Sequence, residues 1–237
     1  MTALNKNLTE LLNEPMARPF TEPGAKHLFA GHELGHRLDA TAAALARPAP
    51  SGAQQLQQRL VEISAATACG RYSTAVEVVC QAQAQGARVA WIERQGHGGV
   101  YPPDVAHSGV DVEALAWIRV PNTAGVWGMA KAAEIILRSG AFGCVVLDFL
   151  AGAPPRPEAW QGRLLTLARQ HYSSVILLSQ RPASASSAGP LVSLRVQPSI
   201  TPCSTRLYTL QTAPLKQKGG ATWPWPSWQR RGPEGLG

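Results

Sequence analysis

Three short stretches of this chain combine residue types and spacings that could do chemistry. The first is Leu60–Thr74, LVEISAATACGRYST, where an apolar run leads into a loop of small residues and then a helix-like pattern. That is the setting of the phosphate-cradling motif G-x-x-x-x-G-K-[ST]. Laid on it, Ala65 takes the first glycine, Gly70 keeps the second, Arg71 takes the lysine and Tyr72 takes the Ser/Thr. Ala65 brings a Cβ to a position where glycine permits close backbone approach. Arg71 is a broad planar fork where a compact ammonium should reach the phosphates. Tyr72 cannot supply the small hydroxyl that holds Mg²⁺. The loop is therefore read as a degenerate nucleotide loop, and the chain as a non-enzyme without a cofactor. Retention of ATP or ADP stays open, because Arg71 could meet a phosphate without Mg²⁺.

The second stretch, Cys144-Val145-Val146-Leu147-Asp148, is an apolar strand ending in a carboxylate, the place from which an acidic side chain holds Mg²⁺ through water in nucleotide hydrolases. The third is a literal H-E-x-x-H, His32-Glu33-Leu34-Gly35-His36. On a helix it would turn two imidazoles to one face as zinc ligands, with Glu33 as general base. Gly35 falls inside that helix, prolines interrupt the segment and no third ligand follows at a known distance, so no metal is expected. His97 and His107 have no acid–base partner at a recognisable spacing. The serines around 173–179 lack the G-x-S-x-G elbow of a serine hydrolase.

The elements that must position these residues follow from periodicity. Strand-like runs occur at 60–64, 88–92, 115–120, 143–148 and 174–179, with helix-like stretches at 72–85, 123–139 and 158–171 between several of them. Alternating strands and helices predict βαβ units and a mostly parallel sheet covered on both faces. Two further runs, 191–197 and 205–212, have no helix between them and are expected as antiparallel strands at the sheet's C-terminal edge. Residues 1–59 read as an irregular arm and linker broken by Pro15, Pro19, Pro23, Pro48 and Pro50, with short helices at 39–46 and 54–59. Residues 60–213 read as the core.

Residues 214–237 read as a disordered basic tail. Trp223, Trp225 and Trp228 stand there among prolines with Arg230 and Arg231 close by, and tryptophans interleaved with cations could stack on single-stranded DNA or anchor in a partner. The formal charge of +7 over 237 residues favours nucleic acid or an acidic protein as partner. The four cysteines are scattered without a CxxC pair, and Cys80 and Cys144 read as small buried hydrophobes. No signal peptide and no apolar run of membrane-spanning length stand out, which leads to the expectation of a cytoplasmic protein.

Taken in order, the strand and loop at Leu60–Tyr72, the strand RVAWI, the segment GVDVEALAWIRVPNT, the helix at 126–139, CVVLD and then SVILLSQRP resemble the RecA core. Within that superfamily the chain resembles the ImuA-type accessory proteins of SOS mutagenesis. The resemblance runs from Leu60 to about Thr212 and rests on order and spacing. It implies an α/β, RecA-like three-layer core with antiparallel C-terminal edge strands. It implies the Walker B role for Asp148, the position of the catalytic glutamate for Gln95, and for Gln180 the glutamine that links nucleotide state to DNA binding. It also implies a role in the DNA-damage response. The expected function is a non-recombinogenic accessory of translesion synthesis that contacts RecA, an ImuB-like polymerase homologue and an error-prone DnaE-type polymerase, and dampens RecA recombination. Two alternatives remain: a SulA-like cell-division inhibitor that binds FtsZ, from the likeness at 181–187, and a divergent DNA-dependent ATPase.

Overall fold

In the computed structural model the described residues are 50–67, 70–97, 99–150, 152–204 and 207–232. The H-E-x-x-H at 32–36 and the helix expected at 39–46 lie outside them. The described chain builds one eight-stranded sheet in the order β3-β2-β4-β5-β1-β6-β7-β8. The strands are β1 Arg59–Ser64, β2 Val89–Arg94, β3 Leu115–Val120, β4 Cys144–Asp148, β5 Ser174–Ser179, β6 Leu194–Ser204, β7 Leu207–Gln217 and β8 Ser227–Arg231. All neighbours from β3 to β6 pair in parallel, whereas β6–β7 and β7–β8 are antiparallel. The fold is thus α/β, with a mixed, mostly parallel sheet and antiparallel strands at its C-terminal edge.

Four helices connect the parallel strands: α1 Arg71–Ala84, α2 Pro102–His107, α3 Gly125–Arg138 and α4 Pro157–Gln170. Side-chain alternation sends Val61, Ile63, Trp91, Val146 and Ile176 to one face of the sheet, where α1 and Val105 of α2 pack. Leu60, Ile92, Val145, Leu147 and Leu177 go to the other face, under α3 and α4. Strands covered on both faces gain from being apolar throughout, which is why β4 and β5 read as unbroken hydrophobic runs.

The boundaries expected from sequence shift in three places. The segment expected as a helix at 54–59 is a 3-10 turn, Pro50–Leu56, followed after two turn residues by β1. The hairpin β6–β7 has strands of 11 residues each, longer than the apolar runs within them. Its outer half is exposed, so hydrophobicity marks only the half on the core. Helix α2, carrying exposed His107 at its end, opens with Pro102 and Pro103. The first helical turn tolerates two prolines because its N–H groups have no helical partner.

The largest correction concerns residues 214–232. β7 continues to Gln217 and β8 closes the sheet edge, with Leu210 opposite Trp228. Trp223, Trp225 and Trp228 are buried in the same apolar cluster as Ala53, Leu56 and Leu210. The Trp223 and Trp225 rings meet edge to face at 5.4 Å, and the Trp223 indole N–H donates to the Trp225 carbonyl at 2.7 Å. Thr212 holds the segment from β7, its hydroxyl donating to the Trp225 carbonyl at 2.7 Å. The physical reason is area: each indole buries about 150–250 Å², enough to order a segment that Pro/Gly content alone marks as loop.

Candidate functional site

The loop read above as a degenerate nucleotide loop joins β1 to α1, and at its end Gly70 adopts φ 75, a left-handed conformation that glycine reaches without a Cβ penalty. The Gly70 carbonyl then accepts from the Thr74 N–H at 2.9 Å and starts the helix. This one letter of the motif has a geometric role here.

The two substituted side chains turn inward. Arg71 is buried, and its Nη1 donates to the Ala65 carbonyl on the near side of its own loop. Its Nε has no partner among the described residues. The Tyr72 hydroxyl crosses to the end of β4 and donates to Asp148 Oδ2 at 2.8 Å, while Asp148 Oδ1 accepts from the Leu150 N–H at 3.1 Å. The Tyr72 ring stacks on Trp91 of β2 at 6.3 Å, and Trp91 in turn meets Trp117 of β3 at the same distance. The phenol is fixed at both ends, by a carboxylate and by an aromatic row.

Burial governs the protonation of this pair. Asp148 is held above the ordinary carboxylate value of 3.8, chiefly because it is desolvated, and the hydrogen bonds from Leu150 and Tyr72 oppose that rise. The Tyr72 phenol is pushed well above its usual value, by burial first and by the neighbouring Asp148 charge second. The phenol therefore stays a donor throughout the physiological range.

Gln180, just past β5, closes the arrangement from the other side, its side-chain amide donating to the Ala66 carbonyl at 3.2 Å. Thus Ala65, Gly70, Arg71, Tyr72, Asp148 and Gln180 gather at the carboxyl ends of β1, β4 and β5. Gln95 stands in the turn after β2, its side chain exposed and its N–H bonded to the Val120 carbonyl at 2.9 Å. Trp223, Trp225 and Trp228 contribute to the core, which removes them as a stacking platform for bases. Arg230 reaches inward, donating to the carbonyls of Ser73 at 3.1 Å and Ser108 at 3.3 Å, whereas Arg231 is exposed.

Two functional features escaped the sequence reading. Glu93, on β2, is a buried carboxylate that bears electrostatically on both Tyr72 and Asp148, and its Oε1 accepts from Arg119 of β3 at 3.2 Å. The alternation of β2 carries the signal, since Trp91 and Glu93 share a face. The second is a buried ion pair beneath the segment after β5. Glu62 Oε1 accepts from the Ser179 hydroxyl at 2.5 Å and Oε2 accepts from the Ala188 N–H at 2.8 Å. Arg195 of β6 lies 3.8 Å from that carboxylate and donates to Ser64 Oγ at 2.7 Å, to the Pro182 carbonyl at 2.7 Å and to the Ala185 carbonyl. Gln161 of α4 adds a bond to the Ala188 carbonyl at 3.2 Å. The segment 181–189 is pinned from below by Glu62, Arg195 and Gln161 through four of these side-chain contacts, which small residues such as its alanines and serines allow.

Fold and site together define an α/β protein in which the loop from β1 to α1 has a carboxylate across from it and a glutamine beside it. Comparison with curated proteins finds distant, partial similarity to RecA. The chain is 35% identical to the RecA protein of Nocardia farcinica over 101 residues, 42% of this chain and 27% of that protein. It is 28% identical to the RecA protein of Treponema denticola over 128 residues, 50% of this chain and 30% of that protein. The chain thus spans less than a third of the length of these relatives. No family model matches it. Among the described residues no helix is long and apolar enough to cross a membrane, and no cluster of three or more His, Cys, Asp or Glu could hold a metal ion.

Proposed function

We propose that this chain is a RecA-like accessory protein of the DNA-damage response that works through protein contacts and does not hydrolyse ATP. The observation that carries this reading is the hydrogen bond between Tyr72 and Asp148, 2.8 Å long. It uses the carboxylate that would hold the Mg²⁺ water and fills the position of the missing hydroxyl with a ring. Arg71, folded onto the Ala65 carbonyl, leaves no lysine-like ammonium for the phosphates. Phosphoryl transfer is driven almost wholly by positioning and charge stabilisation, and these residues do not fit Mg²⁺-ATP. Gln95, which offers no general base, agrees with the same reading.

The finer assignment follows the resemblance to ImuA-type proteins. The partners are RecA and an ImuB-like polymerase homologue, with a DnaE-type polymerase in the same assembly, and the outcome is error-prone translesion synthesis in place of recombination. The pinned 181–189 segment supports a role without strand exchange, since a segment bonded from beneath by Glu62, Arg195 and Gln161 is poorly suited to reorganise around a DNA strand. The test is a pair of measurements on the full chain. Titration with ATP and Mg²⁺ should show no hydrolysis above background, with and without single-stranded DNA. Added to RecA-driven strand exchange, the chain should lower the rate and co-purify with RecA. DNA-stimulated phosphate release would establish the divergent ATPase instead; no binding to RecA together with inhibition of FtsZ polymerisation would establish the cell-division inhibitor.

A further inference from the structure

On the sheet face opposite α1, helices α3 and α4 leave a cavity of about 210 Å³ between them. Its floor is apolar, formed by Ala130, Trp160 and Leu164, and all three are buried. Trp127 stands at its rim, 44% exposed although the side chain is among the largest on the surface. Trp127, Lys131, Glu134 and Arg138 follow one another at helical spacings of four, three and four, so they form a single stripe of α3.

Charge surrounds this floor. Glu134 is buried, and three cations converge on it: Arg138 at 2.6 Å, Arg163 of α4 at 3.5 Å and Lys131 at 3.7 Å. One carboxylate satisfies at most one of the three charges, and the cationic side chains are more than half exposed. The rim of an apolar cavity therefore carries a net positive charge directed at solvent.

We propose that this groove docks an acidic peptide segment of a protein partner, which inserts one large apolar side chain beside Trp127 and sets its carboxylates against Lys131, Arg138 and Arg163. The cavity is smaller than the about 300–1,000 Å³ typical of small-molecule sites and suits a single anchoring side chain. Aromatic and arginine side chains are the residue types that dominate binding energy at protein interfaces. An oligonucleotide with its phosphates on the same three cations is the competing occupant, and the single-side-chain size of the floor favours the peptide. The occupant is thereby specified by its chemistry, independently of whether the degenerate loop binds nucleotide.

The test uses the full chain and a short fluorescein-labelled peptide holding one phenylalanine flanked by aspartates, followed by fluorescence anisotropy. The peptide should bind, and Trp127→Ala should weaken binding by more than about tenfold, as expected of an interface hot spot. Arg163→Glu should weaken it comparably, and a peptide with lysines in place of the aspartates should not bind. Thermal melting of each variant reports its folding, and Lys131→Ala serves where Arg163→Glu lowers the melting temperature. No binding by the acidic peptide at millimolar concentration overturns the proposal, as does binding indifferent to Trp127→Ala. Binding of labelled oligothymidylate that Trp127→Ala abolishes, with the peptide inactive, would make this a nucleic-acid surface and equally overturn it.

Discussion

Arg195 and Glu62 face each other across 3.8 Å in the interior, one on β6 and one on β1, and both are buried. Removing one charge of such a pair strands the other without water. Glu62→Gln should therefore destabilise the fold by about 3–5 kcal/mol, read by urea denaturation. The double variant Glu62→Leu, Arg195→Met should recover much of that loss. A double variant as unstable as the single one would show that the hydrogen bonds to 182–188, not the charge pairing, dominate.

Trp225 bears on the same fold from another side. Its indole is 1% exposed, and a Cβ placed on Gly52 would come within 2.8 Å of it. Gly52→Ala should cost about 1–3 kcal/mol through overpacking, and Trp225→Ala about 3–5 kcal/mol through the cavity left behind. Thermal melts of both variants check this; a melting point unchanged by Trp225→Ala would contradict burial of the segment.

Arg230 and Arg231 are adjacent in sequence but differ in what they touch. Arg230 bridges the Ser73 and Ser108 carbonyls, whereas Arg231 is exposed. Arg230→Ala should lower stability by about 1.5–3 kcal/mol, the range for hydrogen bonds to a charged donor, while Arg231→Ala should leave it unchanged. Equal effects of the two substitutions in a melting series would count against the asymmetry.

Asp148 gives a pH dependence of definite sign. Burial raises its folded-state pKa above the unfolded value near 3.8. Between the two values the folded chain binds more protons than the unfolded one, so stability from this group is present at low pH and falls as pH rises. Asp148→Asn should accordingly be as stable as the parent, or more stable, at neutral pH. Its advantage should vanish below pH 3.8. The amide can still serve Leu150 and Tyr72, the phenol then acting as acceptor. A variant that loses stability at pH 7 relative to pH 3 would show that the Tyr72 bond to a charged carboxylate outweighs desolvation.

The parallel half of the sheet was legible because its central strands β2, β4 and β5 are apolar on both faces and separated from the next by a helix or a glycine. Asp148 and Gly70 were legible for the same reason, standing where such strands and loops end. The antiparallel half was harder to see. In β8 only Trp228 of five residues is buried, so neither alternation nor hydrophobic content reveals a strand. Glu62 was taken as one more letter of β1 because a buried carboxylate in an apolar run declares itself only through its partners, here 117 and 133 residues away at Ser179 and Arg195. Pairings of that range lie beyond any local pattern.

The indoles at 223–228 complete the apolar layer that begins with Ala53 and Leu56. During synthesis, the strands and α1 on that face are made well before the side chains that cover them. Until residue 228 has been made, a nascent chain presents that layer to solvent or to chaperones, an aggregation hazard of partly folded α/β domains. Translational pausing or truncation ahead of Trp225 would thus yield a sticky intermediate and not a shortened working core. This face is therefore complete only when residues far apart in the chain, Ala53 and Trp228, are both in place.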